Sequence, residues 1–127
     1  MSLQSPLGKF LGHGSAKEGT EHWWSQRVTS VALVPLTLWF VSALLGMESF
    51  AYADVVVWLA SPFNAILMIL LAISLLYHSQ LGVQVVVEDY VHSWLKVVTL
   101  MGSKLLHAAI GVAIVYSIVV ISVGTAQ

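Results

Sequence analysis

The chain has 127 residues, 58% of them hydrophobic and only 9% charged, with a formal net charge of −1 and no cysteine. A soluble domain carries about 25% charged residues, so this composition belongs to a protein buried in lipid. The missing cysteines exclude disulfides, iron–sulfur ligation and zinc–thiolate sites within the chain, and the charge balance gives no reason to expect a nucleic-acid partner.

Residues 1–20 are poor in large apolar side chains and hold Gly8, Gly12, Gly14 and Gly19. They predict an irregular cytoplasmic tail. No apolar stretch precedes residue 28, so no cleavable signal peptide is expected. Thr20 reads as an N-cap with Glu21 favourable in the first turn. His22, Trp23 and Trp24 follow as an aromatic belt at the water–lipid boundary. The first helix is expected over about residues 21–46, because residues 28–47 form 20 positions without a charge. Pro35 predicts a kink within it, and Gly46 a C-cap.

Residues 47–61 form a loop with Glu48 and Asp54 and no basic residue, in which Tyr52 and Trp58 read as interfacial. Residues 53–59 could add a turn or two lying on the surface. Ser61-Pro62 is an N-cap followed by proline at the first helical position. The second helix is expected over residues 62–88; its 26 uncharged positions, 62–87, come to about 40 Å, longer than a hydrocarbon core of about 30 Å. It must tilt or protrude. A second loop carries Tyr90, His92, Trp94 and Lys96. The third helix is expected over residues 98–123, where Ala109, Ala113 and Ser117 at i, i+4 and i+8 form a seam of small residues for close helix packing. The runs do not alternate in strand-sized pieces, so a barrel is excluded. The fold class is therefore an all-α membrane protein with three transmembrane helices, a domain of residues 21–127 behind the tail.

Lys9, Lys17 and Arg27 precede the first helix, Lys96 and Lys104 surround the second loop, and the first loop and C-terminus have no basic residue. The positive-inside rule then puts the N-terminus in the cytoplasm and the C-terminus in the periplasm. Arg27, Asp89 and Tyr90 gather at the cytoplasmic surface in this reading.

The candidate chemistry centres on His78. At about 100° per residue, Leu67, Leu71, Ser74, His78, Gly82, Val85 and Asp89 share one stripe, and a polar stripe on an apolar helix faces protein, water or a cofactor. His78 lies about 15 Å deeper than Asp89, at membrane mid-depth. A neutral imidazole there can bind haem iron, and Gly82 would let a flat macrocycle approach the backbone. The alternative is a histidine hydrogen-bonded across helices. His107 also has a glycine four residues on, Gly111, and is the rival ligand. Tyr90 can donate a hydrogen bond to a quinone carbonyl and Asp89 can relay protons; the bland reading is a belt tyrosine and a solvated acid. Arg27 could pair with a haem propionate or serve only as a positive-inside anchor. Ser25, Ser30, Gln80 and Gln84 carry no assignable role. No nucleophile–base pair, phosphate loop or carboxylate pair is visible, so no catalytic residue is expected in the chain.

His78-x3-Gly82 followed by Asp89-Tyr90, in a three-span chain of this length, resembles the small membrane-anchor subunit of succinate dehydrogenase (respiratory complex II), the cytochrome b small subunit. The approach to the first helix, His22-Trp23-Trp24-Ser25-Gln26-Arg27-Val28-Thr29, is similar to the bacterial and mitochondrial-like members. The resemblance covers about residues 20–125. It implies His78 as axial ligand of a b-type haem shared with the larger cytochrome b anchor subunit, Arg27 near the propionates, Tyr90 at the ubiquinone site and Asp89 beside it. It also implies an iron–sulfur subunit and a flavoprotein with FAD as partners. The chain would thus be the non-catalytic anchor of an enzyme complex in a bacterial inner membrane, serving the tricarboxylic acid cycle and aerobic electron transport. His107 and the longer tail depart from the simplest members. Two other readings compete: a self-contained di-histidine cytochrome using His78 and His107, and a non-redox membrane protein such as an assembly factor.

Overall fold

The computed structural model describes residues 17–124. It contains four helices: α1 (Lys17–Leu45), α2 (Tyr52–Ala60), α3 (Pro62–Tyr90) and α4 (Trp94–Gly124). Three segments, Thr20–Leu45, Pro62–Tyr90 and Trp94–Gly124, are long and apolar enough to cross a membrane. At 29 and 31 residues, α3 and α4 measure about 43 and 46 Å, so both extend past a core of about 30 Å.

The boundaries follow local chemistry. α1 begins at Lys17, so Thr20 lies inside the helix and is not its cap. The expected tail falls almost wholly outside the described residues. α1 runs uninterrupted through Pro35, an exposed residue whose missing N–H deprives the Val31 carbonyl of its helical donor. Past its end, the Gly46 N–H donates to the Ser42 carbonyl at 3.1 Å. The short surface helix expected near residues 53–59 is α2. Asn64 Nδ2 donates to the Trp58 carbonyl at 2.8 Å, satisfying a group left open at the end of α2. Pro62 occupies the first turn of α3, as its sequence context predicts.

α3 is the middle of the molecule. It packs antiparallel to α1 on one side and to α4 on the other, while no close backbone approach joins α1 to α4 among the described residues. The helices form an open layer, not a closed bundle. At the α2 end, Trp39 of α1 stacks on Trp58 at 5.8 Å between centroids and meets the edge of Phe63 at 6.5 Å. Leu59, Ala65 and Ile118 form a small core there, flanked by Met68, Ile69, Ile114 and Ile121. Among the described residues only these three, Leu81 and Val87 are buried, and none lies in α1.

The expected small-residue seam does not pack within the chain. Ala109, Ala113 and Ser117 are all exposed. α4 instead turns its Ile114, Ile118 and Ile121 stripe inward, and its close approach to α3 comes at Gly111, where a Cβ would stand 3.3 Å from Leu76 Cδ1. Large aliphatic side chains make more van der Waals contacts across this seam than alanines do, and that packing sets the rotation of α4.

Candidate functional site

The stripe on α3 turns toward the layer for most of its length. Leu67, Leu71, Ser74, His78 and Gly82 are half-buried, while Val85 and Asp89 are exposed. His78 meets two side chains of α1: its Nδ1 lies 3.0 Å from Thr29 Oγ1 and its Nε2 lies 3.3 Å from Gln26 Nε2. Thr29 Oγ1 lies 2.9 Å from the Ser25 carbonyl and 3.0 Å from the Gln26 carbonyl, and Ser30 Oγ donates to the Gln26 carbonyl at 2.7 Å. Two polar atoms here are buried without a hydrogen-bond partner, Gln26 Oε1 and His22 Nε2. A polar pocket of α1 thus receives the imidazole and leaves hydrogen-bonding capacity unspent.

This pairing fixes the level of Arg27 along the layer. Gln26 and Thr29 bracket Arg27, so Arg27 is level with His78. Asp89 lies eleven residues further along α3, about 16 Å away along the axis. Arg27, Asp89 and Tyr90 therefore do not form one cluster. The uncharged runs of α1 and α4 begin at Val28 and Leu105, and His107 Nε2 meets Ser79 Oγ at 3.3 Å. These neighbours put His78, Ser79, Arg27 and His107 at one level of the layer, near where the uncharged runs of α1 and α4 begin. About three turns of α3 continue past that level to Tyr90.

The two histidines occupy different seams. His78 faces α1, whereas His107 lies between α4 and α3, with Nδ1 2.8 Å from the carbonyl of Ser103. Their contacts run through His78 and its neighbour Ser79, which leave α3 about 100° apart. The structure does not bring His78 and His107 to one site, against the self-contained di-histidine alternative. The glycines differ as well. A Cβ on Gly82 would meet nothing within 4 Å, whereas one on Gly111 would press on Leu76. Packing within this chain explains Gly111 and leaves Gly82 unexplained.

At the end of α3, Asp89 and Tyr90 are exposed, Tyr90 to 79%. Arg27 is also exposed, its guanidinium 5.2 Å from the centre of the Trp23 ring. Trp23, Trp24, Arg27, Val28 and Val31 line a shallow groove of about 480 Å³ on the outer side of α1. Gln84 Nε2 donates to Glu88 Oε1 at 2.8 Å, and Lys96 Nζ donates to the Glu88 carbonyl at 3.2 Å, which ties the two ends of the α3–α4 loop together.

Comparison with known proteins fits this arrangement. Residues 1–121 match the family described as succinate dehydrogenase/fumarate reductase transmembrane subunit. The chain belongs to that family. The succinate dehydrogenase hydrophobic membrane anchor subunit of Rickettsia bellii is 37% identical over 90 residues, covering 70% of this chain and 71% of the relative. The protein of the same name from Paracoccus denitrificans is 27% identical over 124 residues, 98% of this chain and 96% of its own length. A succinate dehydrogenase membrane anchor subunit of Reclinomonas americana is 33% identical over 89 residues, 66% of this chain and 72% of the relative. The chain is accordingly a multi-pass membrane anchor of the succinate dehydrogenase type.

Sequence reasoning overlooked part of this anchor's polar pocket. His22, Gln26 and Thr29 stand at i, i+4 and i+7, the spacing of one helix face. That is the same signal that marked the stripe on α3. It was obscured because His22 falls beside two tryptophans and reads as part of a belt.

Proposed function

We propose that this succinate dehydrogenase anchor supplies His78 as an axial ligand to a b-type haem shared with the larger cytochrome b anchor subunit, and Tyr90 and Asp89 to the ubiquinone-reduction site. The observation that carries the reading is the pairing of a half-buried imidazole with Gly82. One turn from His78 on the same stripe, Gly82 leaves an open place that no atom of the described residues fills. A large flat group or a partner helix suits that cradle. The Nε2 of His78 has only a long contact to an amide whose oxygen is itself unpartnered, so little is lost when that amide gives way. Arg27, level with His78 and in no ion pair among the described residues, has a guanidinium suited to a propionate. The bound group would supply one-electron redox chemistry; the chain supplies ligand, cradle and counter-charge.

Tyr90 and Asp89 stand further out, exposed at the end of α3, as a donor and a proton-accepting group should for an apolar dicarbonyl substrate at a subunit interface. Arg27, Lys96 and Lys104 lie toward one end of the layer, which supports a cytoplasmic N-terminus and periplasmic C-terminus in a bacterial inner membrane. The flavoprotein with FAD and the iron–sulfur subunit would dock at that basic end. His78→Ala in the purified complex tests the haem assignment: the b-haem absorption should be lost or altered, and an unchanged spectrum with full haem content would refute it.

A further inference from the structure

We propose that Thr29 is a positioning residue for His78: its hydroxyl oxygen accepts the Nδ1–H and holds the imidazole in the tautomer whose Nε2 carries a free lone pair. The inference rests on the haem reading above and extends it to a residue of α1.

The argument is a count of protons. A threonine hydroxyl has one hydrogen to give. Two carbonyls stand within its reach, those of Ser25 at 2.9 Å and Gln26 at 3.0 Å. The Gln26 carbonyl already receives the Ser30 hydroxyl at 2.7 Å. A carbonyl oxygen accepts two hydrogen bonds, so either carbonyl can take the Thr29 proton, one turn back on the same helix. The Thr29 oxygen is left as an acceptor, 3.0 Å from His78 Nδ1. An acceptor there requires an N–H on Nδ1, and neutral imidazole has only one N–H, so Nε2 bears the lone pair.

The other side of the ring agrees. The group nearest Nε2 is the Gln26 amide nitrogen at 3.3 Å, a donor, which suits a lone pair and would oppose a second N–H. The Thr29 contact and the Gln26 amide as placed are both compatible with this tautomer, the one a metal ligand needs. Histidine ligands commonly pass their other N–H to an acceptor, which fixes ring orientation and raises ligand basicity. Thr29 suits that task because its β-branched side chain is stiff in a helix and is pinned by its own bond to the backbone.

The test uses the assembled complex with all subunits. Thr29→Val keeps the shape and removes the oxygen; Thr29→Ser keeps the oxygen. In Thr29→Val we expect haem to remain, its midpoint potential to rise because the ligand becomes less basic, and the low-spin ferric electron paramagnetic resonance signal to shift. Thr29→Ser should restore both to wild-type values. Loss of haem in Thr29→Val with subunit assembly intact, regained in Thr29→Ser, also supports the proposal. A Thr29→Val complex identical to wild type in potential and signal overturns it. Should Thr29→Val fail to assemble, Thr29→Ala is read by the same criteria. The His78→Ala complex separates the two levels. If it loses haem while Thr29→Val is unchanged, only the role of Thr29 falls; if it keeps haem with an unaltered spectrum, both fall.

Discussion

Gly82 and Gly111 each follow a histidine by four residues, yet they answer to different forces. The Cβ of a residue at 111 meets Leu76 at 3.3 Å, so Gly111→Leu overpacks the α3–α4 contact and should cost about 1–3 kcal/mol. Thermal unfolding of the purified complex would register this as a lowered midpoint. The Cβ of Gly82→Leu would meet nothing within 4 Å among the described residues, so this variant should leave the helices intact while lowering haem content. Equal loss of stability in both variants would show that Gly82 is used for packing after all. At the end of α3, Tyr90→Phe removes one phenolic donor without changing shape. Quinone reduction should fall while succinate oxidation with an artificial dye is unchanged, and equal loss of both would argue against a quinone role for Tyr90.

Among the elements, the α3–α4 connection reverses the chain in three residues. These are Val91, His92 and Ser93, and Ser93 turns at φ 70°, the only positive value at a non-glycine residue described. A left-handed backbone costs about 1–2 kcal/mol for an L residue with a Cβ, and a β-branched side chain fits it worst. Ser93 already bears that cost, so Ser93→Val should destabilise the α3–α4 pair by less than about 1–2 kcal/mol, through its β-branch alone, and Ser93→Gly should not destabilise it. The comparison can be made from the yield of assembled complex and its thermal midpoint. The turn is held by the Lys96 bond to the Glu88 carbonyl, which the sequence alone does not announce. By contrast the existence of α1, α3 and α4 was legible from uncharged run length, since lipid forces every backbone group in a span to bond within its own segment. The rotation of α4 was not legible. Ala109, Ala113 and Ser117 have the spacing of a packing seam, but the isoleucine stripe makes more van der Waals contacts.

As a molecule, the chain is an open layer in which only five of the described residues are buried, none of them in α1. Lipid covers apolar surface, yet it does not hold one helix against another. The layer should gain much of its stability from partners. A ligand or subunit binding only the folded state at a hundred times its Kd adds about 2.7 kcal/mol. We therefore expect the isolated chain in detergent to unfold at a lower temperature than the same chain within the complex. Haem-depleted complex should fall between them, and equal midpoints for chain and complex would contradict this view.

The sequence by itself determined the number of the spans, the end at which basic residues collect and the stripe on which His78 stands. These follow from composition and from the helical repeat, which act along one segment at a time. Only the tertiary structure decided that Arg27 stands level with His78, that Gln26 and Thr29 receive its ring, and that His107 belongs to a different seam. Those facts depend on register and rotation between helices. Side chains distant in sequence set both, because each helix turns toward whichever neighbour lets it make the most packing contacts and satisfy its polar groups.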